Sequence, residues 1–237
     1  MDRPGTVYGV DGCRGGWLCA ALETRADHEV PRLTFERFEG FDDCLAATDG
    51  HVLVIDIPIG LLDTAVAGGR PCDRMARTAL GWPRRNSVFS PPARPALQAA
   101  EYREAIQLNG QGLSRQAFGI LPKIGEVDAA LAPSHQTRVF EGHPEMSFMR
   151  LAGEPLTAPK RKPAGRSRRK TLLESALGVP IDIDEVRTVL GRKNVAPDDL
   201  LDATVLAITG RTIRNRTALR AGAGERDSRG LEMAIWY

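Results

Sequence analysis

Short apolar runs with strand-like patterning occupy the first part of the chain. They cover residues 6–10, 17–23 and 33–38, and each is bounded by residues that favour turns. The connections between these runs are short, and the first of them is rich in glycine, which is typical of a tight turn. We therefore predict three strands that pair as an antiparallel meander.

A fourth strand and a helical region follow. Residues 52–57 are apolar apart from Asp56, as is typical of a strand buried on both faces, and residues 41–48 predict a short helix before it. From about residue 68 to 132 the pattern is helical and is broken by loops that contain Pro and Gly. We interpret this stretch as a helical insertion, so that residues 1–237 form one domain.

The last third of the chain adds one strand and three helices. Residues 138–141 predict the strand, and Pro144 opens a helix that extends to about residue 151, because proline is favoured in the first helical turn. Helices are also predicted at residues 168–177 and 198–213, the second with acids at its start and arginines at its end. This order predicts a mixed α/β sheet in which the strand at 52–57 lies parallel to the first strand.

Composition limits the classes of protein that fit. The chain has 237 residues, 42% of them hydrophobic, and a formal net charge of only +2, so affinity for nucleic acid must come from a local patch. The N-terminal residues lack the pattern of a signal peptide, and no stretch approaches the roughly 20 apolar residues that cross a bilayer. The four cysteines are scattered without C-x-x-C spacing. We therefore expect a cytoplasmic protein without a membrane partner, a disulfide framework or a zinc site.

Two aspartates stand where apolar strands are predicted to end. Asp56 is followed by Pro58, which stops a strand, and Asp11 is followed by a glycine-rich turn. A charged side chain in such a run is costly to bury unpaired, and ligands of open α/β sheets bind at the carboxyl ends of strands. Asp11 and Asp56 are therefore expected to be neighbours in a site. The alternative is that each caps a nearby turn.

Further acids follow later in the chain. Glu141 ends the predicted strand at 138–141, and Asp199 and Asp202 share one face of the last predicted helix. Asp199 could instead serve only as an acid favoured by the helix dipole, whereas Asp202 stands among apolar positions. Acids from separate segments repel one another unless a cation neutralises them, and carboxylate oxygens are natural ligands of Mg²⁺. Two such ions, about 3.5–4 Å apart, promote phosphodiester hydrolysis.

Six motifs in this order resemble a family of uncharacterised prokaryotic proteins that are classed as RNase H-like nucleases. The motifs are VDGCRGGW (10–17), VIDIPIGL (54–61), RRNSVFSPPAR (84–94), FEGHPEMSF (140–148), DDLLDA (198–203) and GLEMAIWY (230–237). The resemblance covers nearly the whole chain. It implies a mixed five-stranded sheet, with three antiparallel strands followed by parallel strands, flanked by helices and carrying a helical insertion.

The resemblance also implies a site and an activity. The wider superfamily includes Holliday-junction resolvases. By that likeness Asp11 is the ligand that bridges two metal ions. Asp56 or Glu141 is the second metal ligand, and Asp199 with Asp202 provides the last. The choice between Asp56 and Glu141 stays open. The implied function is a nuclease that uses Mg²⁺ or Mn²⁺ to hydrolyse phosphodiester bonds of DNA or RNA.

Basic side chains near these motifs are candidates for contact with phosphates. We expect such contacts from the turn after the first strand, from the RRNSVFSPPAR motif and from the basic run that precedes residue 171, namely from Arg14, Arg84, Arg85, Lys160, Lys162, Arg166 and Arg169. A charge run of this kind also suits a solvated surface. His143 could position the attacking water or could be structural.

Two other functions fit the same pattern. An ATP-dependent phosphotransferase of the actin-like or sugar-kinase fold begins with a similar strand, although those enzymes use two copies of the core and one copy is found here. A binding module without catalysis could also keep the fold. The sequence does not choose between DNA and RNA, and it leaves the oligomeric state open, including a homodimer.

Overall fold

A mixed β-sheet forms the centre of the computed structural model, which describes residues 4–24 and 30–237. The first three strands are β1 (Gly5–Cys13), β2 (Gly16–Thr24) and β3 (Arg32–Phe38), which pair antiparallel in sequence order. Residues 25–29, in the connection between β2 and β3, lie outside the described residues. The predicted meander is confirmed.

Four shorter strands complete the sheet in the described part of the chain. They are β4 (Val52–Ile55), β5 (Val139–Gly142), β6 (Arg220–Ala221) and β7 (Ile235–Trp236). The strand order is β3-β2-β1-β4-β5-β7-β6, in which β4, β5 and β7 continue parallel to β1 and β6 is antiparallel to β7.

The mixed sheet that the resemblance implies, with three antiparallel strands followed by parallel strands, is therefore confirmed, since β4 runs parallel to β1 with Val7 opposite Val52 and Val10 opposite Ile55. In the described residues the sheet has seven strands rather than five. The two additional strands, β6 and β7, have only two residues each, which is too short for an alternating pattern to be recognised.

Helices flank the sheet and fill the long connection between β4 and β5. Those before β5 are α1 (Phe41–Ala47), α2 (Pro71–Leu80), α3 (Tyr102–Asn109), α4 (Arg115–Gly119) and α5 (Leu121–Ala130). Those after it are α6 (Pro144–Ala152), α7 (Pro163–Leu177), α8 (Ile183–Leu190) and α9 (Pro197–Arg214). Short 3-10 helices occupy Arg84–Ser87, Arg94–Gln98 and Pro133–Thr137.

The last helix lies directly on the first strand because Gly9 has no side chain. A Cβ atom built on Gly9 would lie 2.0 Å from the carbonyl oxygen of Ala203 and 2.2 Å from the amide nitrogen of Ala207. Only glycine permits this approach of two backbones. The contact fixes the start of α9 beside the end of β1, which is where the candidate acids lie.

Apolar packing on both faces holds the sheet. On one face Leu18 and Val54 pack with Leu201 and Leu206 of α9. On the other face the strand residues Val10, Trp17, Leu53 and Ile55 pack with Phe41 of α1 and Ile124 of α5. β4 is buried on both faces, as its apolar run predicts.

No helix within residues 4–24 and 30–237 has the length and apolar character needed to cross a membrane.

Candidate carboxylate site

Three aspartates from three separate elements come together at one end of the central strands. Asp56 directly follows β4, and its amide nitrogen donates a hydrogen bond to the carbonyl oxygen of Val10, 3.0 Å away. Asp11 lies inside β1, opposite Leu18, because β1 continues to Cys13 beyond its predicted end. Asp202 lies in the second turn of α9 and is 1% exposed.

The charges of these acids act on one another. Burial raises the pKa of Asp11 well above its ordinary value, and the charges of Asp56 and Asp202 raise it further. Burial raises the pKa of Asp202 to about 7, to which Asp56 also contributes, while Lys160 acts to lower it. The pKa of Asp56 is raised by burial, against the charges of His143 and Lys160. The three carboxyl groups therefore form one electrostatic unit.

Lys160 supplies the positive charge at this unit. Its ammonium group donates a short hydrogen bond to Oδ2 of Asp202. Burial by itself would lower the pKa of Lys160, but the carboxylates of Asp202, Asp11 and Asp56 raise it overall. Oδ1 of Asp202 is buried and has no hydrogen-bond partner in the described part of the chain.

The acids do not form a ready-made metal cage. Among residues 4–24 and 30–237, no three His, Cys, Asp or Glu side chains are grouped closely enough to hold a metal ion. The donor chemistry nevertheless suits a hard cation, because the oxygens are carboxylate oxygens and one of them, Oδ1 of Asp202, is buried and unpaired. A cation would have to take the place of the Lys160 ammonium group or lie beside it.

Asp199 lies at the edge of the cluster and has a structural task. Its Oδ2 accepts a hydrogen bond of 2.8 Å from the amide nitrogen of Ala196, the residue before α9. Burial raises the pKa of Asp199 to about 6, while the Ala196 amide acts to lower it. The charge of Asp199 also raises the pKa of Asp11. Asp199 thus caps its helix and contributes negative charge to the site.

Glu141 is held by a different cation. Its two carboxylate oxygens accept hydrogen bonds of 2.6 and 2.8 Å from the guanidinium group of Arg70, and one of them also accepts from the amide of Ile59. Arg70 is 2% exposed and also pairs with Asp73 at 2.7 Å. Burial raises the pKa of Glu141 to about 7 despite Arg70. The structure therefore does not add Glu141 to the group of Asp11, Asp56 and Asp202.

His143, which directly precedes α6, and Glu145, in the first turn of α6, lie next to the three aspartates. When protonated, Nε2 of His143 donates a hydrogen bond to the carbonyl oxygen of Ser87, 3.3 Å away, and the buried Nδ1 has no partner among the described residues. Glu145 binds Arg169 through two hydrogen bonds of 2.7 and 2.8 Å, and its charge also raises the pKa of Asp56 and Asp202.

Comparison with protein-family models decides the family. The model described as "Protein of unknown function (DUF429)" matches residues 9–226, which is most of the chain. The chain belongs to the DUF429 family. The predicted family resemblance is thereby confirmed.

Comparison with curated proteins gives no match to this DUF429 chain. Comparison with solved structures gives the RuvC protein of Thermus thermophilus, at 11% identity and a TM-score of 0.36, over 90% of this chain and 98% of that one. A similarity at this level carries no argument about activity.

The basic residues predicted to contact phosphates lie in several environments. Arg169 of the DUF429 chain is fully buried against Glu145, so its predicted role at a nucleic-acid surface is wrong. Lys160 is 36% exposed and its charge faces Asp202 rather than solvent. Arg14, Arg85 and Lys162 are exposed, whereas Arg84 and Arg166 are half-buried. The basic run is partly helical, because Pro163 opens α7 five residues before its predicted start.

No sequence pattern identifies Arg70 as the cation that neutralises Glu141. Arg70 lies 71 positions from Glu141 in the chain, so no local spacing connects them. The only available hint is that a Glu at the end of a buried strand needs a cation.

Proposed function

We propose that this protein hydrolyses phosphodiester bonds of DNA or RNA with a divalent cation, Mg²⁺ or Mn²⁺, that Asp11, Asp56 and Asp202 hold. One observation carries the proposal. Three acids from β1, the end of β4 and α9 converge on one point, where the charges of Asp56 and Asp202 add to burial in raising the pKa of Asp11, and the charge of Asp56 adds to burial in raising that of Asp202. Burying that much like charge is unfavourable unless the protein uses it to bind a cation.

The cation has defined protein ligands in this proposal. Asp11 is the central ligand, because three other acids act on its pKa. Oδ1 of Asp202 is an oxygen that no protein group uses among the described residues. Asp56 completes the set, and Asp199 adds charge from the start of α9. When bound, the cation would activate a water molecule and stabilise the leaving oxygen.

Asp56 is preferred to Glu141 as the second acid. Both oxygens of Glu141 already bind Arg70, and the Ile59 amide takes a further position on one of them. A ligand role for Glu141 would require this buried pair to open. Breaking such a pair is strongly unfavourable, because it leaves an uncompensated buried charge. Glu141 instead binds Arg70, the residue before α2, and so fixes the start of that helix.

His143 is a candidate to accept a proton near Asp56. Its charge acts to lower the pKa of Asp56 against the effect of burial, so the two side chains interact electrostatically. Its Nδ1 is buried without a partner in the described residues, and Nε2 faces the carbonyl oxygen of Ser87. In the proposed reaction the free ring nitrogen accepts a proton from water that approaches Asp56.

A second function is favoured by Lys160. Its ammonium group already pairs with Asp202, so one of the three acids is compensated without a metal ion. A protein that kept the fold as a non-catalytic binding module would look the same in this respect. The two candidate functions differ in whether a divalent cation binds and whether any phosphodiester is cleaved.

A cleavage assay separates these candidates. Wild-type protein and the variant Asp11→Asn are incubated with single-stranded, duplex and branched DNA and RNA in Mg²⁺ or Mn²⁺. The control is Asp184→Asn, which removes the same charge from an exposed position on α8. We expect cleavage by the wild type and by the control and a loss of at least about 100-fold for Asp11→Asn, because the central ligand loses its charge. Equal cleavage by Asp11→Asn, or no cleavage of any substrate by the wild type, would overturn the proposal.

A further inference from the structure

A separate cavity of about 890 Å³ is lined by positive charge. Arg74 and Arg77 of α2 and Arg85 of the 3-10 helix Arg84–Ser87 contribute to its wall, and no Asp or Glu among the described residues lines it. Arg74 and Arg77 are three residues apart and so share one face of α2. Arg85 belongs to the RRNSVFSPPAR motif, whereas the two arginines of α2 belong to none of the six motifs.

Within residues 4–24 and 30–237 none of these three guanidinium groups forms an ion pair, and the Arg85 side chain makes no hydrogen bond. Arg74 donates a hydrogen bond to the carbonyl oxygen of Gly69, and its charge adds to the Ala223 amide in lowering the pKa of Glu225. Arg77 donates hydrogen bonds only to neutral acceptors, namely the carbonyl oxygens of Val88 and Gly68 and the hydroxyl of Ser90. Burial lowers the pKa of Arg77, as expected for a charge held without a carboxylate partner.

Asp73 compensates Arg77 only in part. Its charge acts to raise the pKa of Arg77 against the effect of burial, but both oxygens of Asp73 accept hydrogen bonds from the side chain of Arg70. The cavity therefore presents unpaired positive charge, and guanidinium groups match the oxygens of a phosphate group in shape and charge.

The cavity is larger than a phosphate group alone requires. Its volume lies within the range of about 300–1,000 Å³ that is usual for sites of small organic ligands. Apolar side chains, including Val88, Phe89 and Leu113, line it alongside the arginines. Phe89 is half-buried, so part of its ring is available for stacking with a flat ligand.

We propose that this cavity binds a phosphate ester of a nucleoside, with the phosphate at Arg74 and Arg85 and the base against Phe89. The ligand is either a free nucleotide or one nucleotide of a longer strand, since both carry the same chemistry. Arg77 shapes the cavity, because its hydrogen bonds to Val88 and Ser90 tie that segment to α2.

The cavity shares a wall with a small pocket that reaches one acid of the carboxylate site. Val88, Phe89 and Pro91 line the cavity and also this pocket, which contains Asp56 and His143 together with the Arg70–Glu141 pair. A strand with one nucleotide in the cavity would therefore have a neighbouring nucleotide on the side of Asp56. This link rests on the proposed function, whereas the nucleotide site itself does not.

Calorimetric titration of metal-free protein in a chelator tests the site. The probes are inorganic phosphate, adenosine 5′-monophosphate and a six-residue oligothymidylate. The test variant is Arg74→Gln with Arg85→Gln. It keeps Arg77 and its hydrogen bonds to Val88 and Ser90. The control is Arg32→Gln with Arg103→Gln, which removes the same charge from exposed positions on β3 and α3.

We expect the wild type and the control to bind a nucleotide probe more tightly than inorganic phosphate, and the test variant to bind it at least about tenfold more weakly, because each arginine loses a charge-assisted hydrogen bond. Binding of the monophosphate identifies a free nucleotide as a ligand, and binding of the oligothymidylate alone identifies a strand. Failure of the wild type to bind either nucleotide, or equal binding by the test variant, would overturn the site. Neither result depends on metal, so a failed cleavage assay leaves this test unaffected.

Discussion

Lys160 and Asp202 form an ion pair at the centre of the carboxylate site. The ammonium group of Lys160 donates to Oδ2 of Asp202, while Oδ1 of the same carboxylate is buried without a partner in the described residues. Lys160 is partly exposed and lies in the loop before α7, whereas Asp202 is fixed in α9. The lysine thus lies at or beside the position at which the proposed function needs a metal ion. Its long side chain can adopt another rotamer without a change in α9.

The first prediction concerns competition between Lys160 and a metal ion. Lys160→Met keeps most of the aliphatic chain but removes the charge. We expect this variant to bind Mn²⁺ at least about tenfold more tightly than the wild type, because like charges within a few ångströms repel by more than about 1 kcal/mol even in a solvated site. Titration followed by electron paramagnetic resonance of free Mn²⁺ measures the affinity.

The control for this prediction is Lys162→Met, which removes the same charge from an exposed position two residues away. We expect that variant to bind Mn²⁺ as the wild type does. If Lys160→Met leaves the affinity unchanged, Lys160 does not compete for the cation position.

The second prediction concerns stability and pH. In the folded protein burial raises the pKa of Asp202 from 3.8 to about 7, although Lys160 acts to lower it. Between these values the unfolded chain loses the proton of Asp202 while the folded protein keeps it, so this group makes the wild type less stable as pH rises from about 4 to about 7. Asp202→Asn has no proton to lose.

We therefore expect the free energy of unfolding of Asp202→Asn, relative to that of the wild type, to increase with pH across this window and to level off above it. Urea unfolding in a chelator at several pH values measures the difference. A relative free energy that decreases with pH would mean that the ion pair with Lys160 outweighs burial at Asp202.

The third prediction concerns the buried pair beneath the site. Arg70→Met leaves Glu141 and Asp73 without their shared cation, and we expect a loss of about 3–5 kcal/mol in the free energy of unfolding. The matched variant Arg192→Met breaks an exposed pair with Asp184 and should cost at most about 1 kcal/mol. Chemical unfolding measures both. Similar losses for the two variants would show that the Arg70 pair contributes no more than a surface pair.

Much of this fold could be predicted from patterning, and the residues show why. The run at 52–57 is apolar apart from Asp56, and it forms a strand buried on both faces, with Asp56 directly after it. The antiparallel meander was predictable because short connections separate its three apolar runs. By contrast, β6 and β7 have two residues each, and their place in the sheet depends on tertiary pairing that leaves no local pattern.

The site was predictable only in part for a similar reason. Asp11, Asp56 and Asp202 can be singled out from the sequence because each stands in an apolar run, where an acid requires an explanation. The partners of the charges could not be found in this way. Arg169 belongs to a run of basic residues but is buried against Glu145, and Lys160 of the same run faces Asp202. A run of charged residues predicts an exposed segment on average, but tertiary packing determines whether each side chain in the run is exposed or buried.

The most direct test of the central claim is to locate Mn²⁺ in the protein by anomalous X-ray scattering from crystals grown with millimolar Mn²⁺. The account predicts an anomalous peak bound by Asp11 and Asp202, with Asp56 near it and with the ammonium group of Lys160 moved away from Oδ2 of Asp202. Crystals without a peak at these acids, in which Lys160 still binds Asp202, would contradict the account.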